Sequence, residues 1–229
     1  MGAGKAAPRN EAEDMTKIAH HMTDELLMGY ASGTLPEAFA LAVATHISLC
    51  DECRAAVESY EALGGGVLEE LESADLSDAS LEATLNLIAS MDSGPVDIEI
   101  ASDPVLPAPL LSYVGKSLDD VKWMPVGMGV KQAILTTSSE ASARLLYIPA
   151  GVAVPDHGHQ GTEITMVLKG AYSDQQARFA RGDVEIADEH LEHTPVADIS
   201  EDCICLAVTD APLKFNALLP RIAQTFLRI

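Results

Sequence analysis

The sequence predicts two domains in series: a small all-α helical bundle that binds metal, followed by an all-β sandwich or barrel. Three observations carry this. Residues 16–91 repeat with helical period between capping and stop residues; His46, Cys50 and Cys53 share one helical face; and from Leu110 onward short Ile/Val/Leu runs alternate with turn residues. A length of 229 residues suits two modest domains and leaves no room for a third. Hydrophobic residues make up 48% but aromatics only 4%, so both cores are built from aliphatic and small side chains.

Residues 1–15 are polar with no apolar h-region, and are expected to form a disordered arm rather than a targeting signal. Thr23 caps a first helix, which Gly33 ends because glycine readily adopts the left-handed conformation past a helix end. Pro36 opens a second helix reaching about Leu49, since a first-turn proline loses no helical hydrogen bond. Asp51 starts a third, expected to stop at Gly64-Gly65-Gly66. A fourth lies between Ser77 and Met91, with Ser77 or Asp78 near its cap and Leu81, Leu85, Leu87 and Ile88 on its apolar side. The proline-rich residues 92–109 read as a linker, and 110–229 as the β domain, with strands near 143–149, 163–169, 183–187 and 203–209.

The net charge of −21 repels nucleic-acid phosphates and anionic lipid headgroups, so direct nucleic-acid or membrane binding is disfavoured and a basic protein partner is favoured. No apolar run reaches the roughly 18 residues of a membrane span. The four cysteines, without a secretory context, point to a cytoplasmic chain with thiols reduced or metal-bound.

His46, Cys50 and Cys53 are spaced i, i+4 and i+7, which places two thiols and an imidazole on one side. His21, 25 residues upstream, can complete a tetrahedral zinc site across a helix pair; His20 is the rival ligand, and a redox Cys-x-x-Cys or ordinary buried cysteines are the alternatives. Between Ala38 and Leu49 the only titratable side chain is His46, so this helix is apolar on more than one face. Phe39, Val43, His46 and Cys50 can face the metal, while Leu41, Thr45 and Leu49 point elsewhere. Either the bundle buries this second face, or a partner protein covers it together with Leu26, Leu27 and Tyr30.

The second constellation is Gly151, His157, His159, Glu163 and Gly170, which fit G-x5-H-x-H-x3-E-x6-G without insertion. Gly182 and His193 keep the spacing of the second cupin motif, whose Pro, Gly and Asn positions hold Asp188, His190 and Ala197. Three imidazoles and a carboxylate, His157, His159, Glu163 and His193, suit Zn, Mn, Fe, Ni or Cu. The β domain is thus expected to be a cupin barrel, a double-stranded β-helix or jelly roll. Cys203 and Cys205, two apart on a late strand, share a face, either as plain core or as a redox pair near the metal.

Together the constellations resemble the zinc-dependent anti-sigma factors of the ChrR type, a helical anti-sigma domain fused to a cupin. The resemblance runs through His20-His21, Asp24-Glu25-Leu26-Leu27, Gly33-Thr34-Leu35-Pro36 and His46-Ile47-Ser48-Leu49-Cys50-Asp51-Glu52-Cys53, and in the barrel through His157-Gly158-His159, Glu192-His193-Thr194-Pro195 and Asp202-Cys203-Ile204-Cys205. It implies structural zinc on His21, His46, Cys50 and Cys53 and a second zinc on His157, His159, Glu163 and His193. It implies an extracytoplasmic-function (ECF) sigma factor as partner, released when singlet oxygen or organic peroxide is sensed through the cupin, and no catalytic residue. The second apolar face of residues 38–49 (Leu41, Thr45 and Leu49), with Leu26, Leu27 and Tyr30, is then expected to dock on that partner. Pairing of two barrels into a homodimer stays open. The alternative is a metal-dependent cupin enzyme, a dioxygenase or isomerase, with a zinc-binding regulatory domain.

Overall fold

The computed structural model describes residues 17–77, 79–91, 102–155, 157–158, 160–212 and 214–215; the arm 1–15 and residues 92–101 of the expected linker lie outside the described residues. Four helices come first: α1 (Asp24–Ala31), α2 (Glu37–Ile47), α3 (Asp51–Glu69) and α4 (Ser80–Ser90). Thr23 accepts a hydrogen bond from the Leu26 amide at the head of α1, and Gly33 takes a φ of 68° just past its end. Pro36 precedes α2, and the Cys50 side chain caps α3.

α3 runs through Gly64-Gly65-Gly66, where a stop was expected. Each helical glycine costs about 1 kcal/mol relative to alanine, but a glycine ends a helix only where it turns left-handed. These three do not, and Leu63, Val67 and Leu68 on either side favour continuation. A fifth helix, α5 (Ala108–Val114), occupies the end of the expected linker and the start of the expected β domain. Its Leu110 and Leu111 are buried, and the helix packs on α2.

The strands follow: β1 (Met124–Gly127), β2 (Val130–Leu135), β3 (Ser142–Ile148), β4 (His157–Gly158), β5 (Glu163–Lys169), β6 (Ala171–Ser173), β7 (Arg178–Ala180), β8 (Val184–Ala187), β9 (Glu192–His193), β10 (Val196–Ala197), β11 (Cys203–Thr209) and β12 (Lys214–Phe215). A six-stranded antiparallel sheet, β1-β2-β3-β11-β5-β8, faces two three-stranded sheets, β10-β6-β7 and β12-β4-β9. The chain passes from β5 in the large sheet to β6 in a small one at Gly170, with φ 70°; a Cβ there would lie 2.6 Å from the Asp202 carbonyl oxygen.

The large sheet is covered on both faces. Its inner face contributes Val167, Cys203 and Cys205 to a barrel core with Tyr172 and Phe179. Its outer face contributes Ile164, Met166, Leu168, Ile204, Leu206 and Val208 to a second core, shared with α2 and α5. All seven residues of β11 are therefore buried, which explains its unbroken apolar run.

Asp103 ties the descending chain to this unit: Oδ1 accepts from the Val105 and Leu106 amides at 2.7 and 2.8 Å, and Oδ2 from Leu118 at 2.9 Å. Burial pushes its carboxyl up, but the three backbone donors outweigh burial and hold it below the ordinary carboxylate range. Asp103→Ala is expected to cost about 1–2 kcal/mol at neutral pH. Because the folded value lies below the unfolded one, this contribution is complete above the usual carboxylate range and fades as pH falls through the folded value. Denaturant unfolding of parent and variant should diverge at pH 7 and converge in acid.

Candidate metal sites

The first site is assembled by three helix ends. His21 lies on the extended approach to α1, His46 on the last turn of α2, Cys50 at the cap of α3 and Cys53 on its first turn. One ligand atom from each lies within 4.8 Å of all the others. His21 Nδ1 is 3.3 Å from Cys50 Sγ and 3.5 Å from Cys53 Sγ. It is His21 that meets the thiols; the His20 ring packs against Phe179, centroids 4.6 Å apart.

The electrostatics fit a cation. Cys50 Sγ accepts the Cys53 amide at 3.5 Å at the head of α3. Burial, reinforced by neighbouring Cys50, pushes the Cys53 thiol up to about 11, so a bound cation would be needed to hold it deprotonated. His46 is fully buried, and burial lowers its pKa to about 4 although the Gly182 carbonyl works in the opposite direction. Its Nδ1 donates to the Gly182 carbonyl at 3.0 Å, while Nε2 is buried without a hydrogen-bond partner. Two thiols, two imidazoles and an orphaned ring nitrogen match the donor set and second-shell carbonyl of a structural zinc site.

In the barrel, β4 pairs with β9 so that His157 stands opposite His193. His159 lies outside the described residues, as does the side chain of His157. Glu163 is buried at the start of β5, where Oε1 accepts from the Thr165 hydroxyl at 3.1 Å. Among the described side chains, the group close enough to share an ion with His193 is Asp174 and Glu185. His193 Nδ1 lies 3.1 Å from Glu185 Oε1 and 3.3 Å from Asp174 Oδ2. The Tyr172 hydroxyl donates to Glu185 Oε2 at 2.6 Å. Burial works against the His193 imidazolium, but the two carboxylates prevail and raise its pKa. Sequence reasoning missed Asp174 and Glu185. A signal for Glu185 was present: an acidic residue inside the short apolar strand Val184–Ala187 is buried only where it has a partner.

Cys203 and Cys205 sit in the barrel core with sulfurs 3.5 Å apart. The hydrogen bond between its thiol and Cys203, together with burial, lifts the Cys205 thiol well above its ordinary range.

The docking face expected on the helices needs correction. Leu27, Leu41 and Thr45 are buried within the chain, and Leu26, Tyr30 and Leu49 are half-buried against the same core. The second apolar face of α2 is covered by α5 and by β3, β5 and β11, because the outer face of the large sheet needs cover as much as the helix does. Among the described residues, the exposed apolar surface lies elsewhere: on the end of α3 (Leu63, Val67) and along α4 (Leu81, Leu85, Leu87 and Ile88). Among the described residues, no helix is long and apolar enough to cross a membrane.

Residues 113–213 match the family model of the ChrR cupin-like domain. The chain is 55% identical over 212 residues to the anti-sigma-E factor ChrR of Cereibacter sphaeroides, covering 93% of this chain and 99% of that protein. It is also similar to the ChrR chain crystallised with SigE from Rhodobacter sphaeroides, with 54% identity and a TM-score of 0.74, over 85% of this chain and 100% of that one. With that identity along nearly its whole length, this chain belongs to the ChrR family of anti-sigma factors.

Proposed function

We propose that the chain is a non-catalytic regulator that sequesters an ECF sigma factor, with zinc clamping its helical unit and the barrel receiving an oxidative signal. The observation that carries this reading is the apolar surface of α3 and α4, which lies outside both cores: the residues of α4 after Ser80 are all exposed. A helix with four large apolar side chains in water is a surface that needs a partner. The relative crystallised with SigE supplies the class of that partner. The net charge of −21 suits it, because surfaces that bind polymerase or promoter DNA are rich in Arg and Lys. The relatives' role favours this reading over a cupin enzyme.

Zinc fits the first site through its two thiols and two imidazoles, which it would hold as a rigid corner between α1, α2 and α3. His157, His159, Glu163 and His193 are the proposed ligands of a second metal, with Asp174 and Glu185 orienting His193 from behind. Singlet oxygen or organic peroxide would act on the barrel, whose histidines and the Cys203/Cys205 pair are the oxidisable groups.

The test is purification of the tagged chain from its host, with identification of whatever co-elutes. A stoichiometric sigma factor, blocked from directing transcription until the complex is broken, is the expected result. If no sigma factor accompanies the chain, and added chain leaves transcription by every ECF sigma factor of that host unchanged, the reading is wrong.

A further inference from the structure

The two metal regions are joined by one tight turn, Arg181-Gly182-Asp183 between β7 and β8, and this turn reaches across to the helical unit. The Gly182 carbonyl accepts from His46 Nδ1 at 3.0 Å. Asp183, itself buried, accepts on Oδ1 from the Ala19 and His20 amides at 2.7 and 3.0 Å, while its Oδ2 takes the Ala180 amide at 2.8 Å. The Val184 amide donates back to the His20 carbonyl at 3.2 Å. Gly182 has a φ of 91°, and a Cβ there would lie 2.6 Å from Ile18 Cδ1. Only a glycine brings the backbone this close to the strand that delivers His21.

We propose that this turn of the barrel is part of the metal clamp of the helical unit: Gly182 orients His46 and Asp183 anchors the segment carrying His21, so metal retention by the helices depends on the docked barrel. The proposal rests on the reading of His21, His46, Cys50 and Cys53 as metal ligands. The physical case is tautomer and position. With Nδ1–H engaged by a carbonyl, His46 presents its Nε2 lone pair to the site. With two amides held by one carboxylate, the approach to α1 is pinned one residue before His21. Neither ligand is fixed by its own domain alone. The strands on either side of the turn reach into the barrel: Glu185, two residues beyond Asp183, contacts His193 Nδ1, and Phe179 stacks on Tyr172 at 5.1 Å while its ring also meets His20. A displacement of this turn would loosen the clamp without touching any of its ligands.

The test uses the full chain loaded with zinc and mixed with excess chromogenic chelator. The phase belonging to the clamp is identified in cobalt-substituted protein by its thiolate-to-metal charge-transfer band, since the barrel's proposed ligands contain no sulfur. Asp183→Ala should speed zinc release from the clamp by about tenfold or more, the usual scale for losing an outer-shell partner. Asp183→Asn, which keeps an oxygen for the Ala19 and His20 amides but sets its NH2 against the Ala180 amide, should fall between the parent and Asp183→Ala. Gly182→Ala, which displaces the carbonyl, should behave like Asp183→Ala and serves in its place if that variant fails to fold. Val130→Ala, which weakens the barrel core away from the turn, should leave clamp release unchanged. Unchanged release in both Asp183→Ala and Gly182→Ala overturns the proposal, as does equal acceleration by Val130→Ala. A parent chain without the charge-transfer band would instead overturn the ligand reading itself.

Discussion

Replacing Cys50 and Cys53 together by serine is expected to abolish binding of the sigma factor. Serine hydroxyls are poor zinc ligands, so the site would be left with two imidazoles, one of them buried and without a partner at Nε2. The helical unit has little to fall back on. In α1 the one buried residue is Leu27, and in α3 only Cys53 and Val57 are buried, so half of the bundle is tied down mainly at the metal corner. A structural zinc contributes on the order of 10 kcal/mol to small folds, comparable to the whole stability of a domain. Zinc content measured on the purified variant should fall by one ion per chain, and affinity for the sigma factor by more than about 100-fold. The barrel, with its own core, should still melt cooperatively. A variant that lacks the ion and still silences its target would remove the clamp from the mechanism.

The second large effect is expected from α4. Leu85 and Ile88, three apart, lie on one face of a helix that buries none of its own residues. Leu85→Asp with Ile88→Asp should therefore leave the melting temperature of the free chain nearly unchanged, because both are exposed and no described residue buries them. Apolar anchors at the centre of an interface each contribute about 2 kcal/mol or more, so the pair should weaken sigma binding by about 100-fold or more. Leu41→Asp makes the contrast: it introduces a charge between α2 and the barrel and should unfold the chain rather than merely release the partner. If the α4 double variant binds as tightly as the parent, the exposed face has another purpose.

Much of the fold was legible because it rests on local chemistry. Thr23, Gly33 and Pro36 bound α1 and α2 through capping and backbone conformation, which depend on neighbours within one turn. The His46/Cys50/Cys53 spacing brings donors to one side whatever surrounds them, and the short Ile/Val/Leu runs of β3, β5 and β11, bounded by turn residues, mark strands. The misreadings were of two kinds. At Gly64-Gly65-Gly66, propensity was read as a stop although it imposes only a modest cost. At Leu41 and Thr45, an apolar face was assigned to a partner when the chain's own barrel covers it.

The amino-acid order by itself determined a helical region followed by a cupin-like barrel, the starts of α1, α2 and α3, and the spacing of His46, Cys50 and Cys53 on one side, since each follows from local chemistry along a helix or strand. Only the tertiary structure decided which histidine meets the thiols, what covers α2, which carboxylates stand behind His193 and that Gly182 and Asp183 grip the clamp. These are contacts between residues 29 to 164 positions apart in the sequence, or on different sheets, and most of them depend on how the outer face of one sheet docks on a helix. Periodicity reveals that such a face must be buried, but shape complementarity between distant segments selects what buries it.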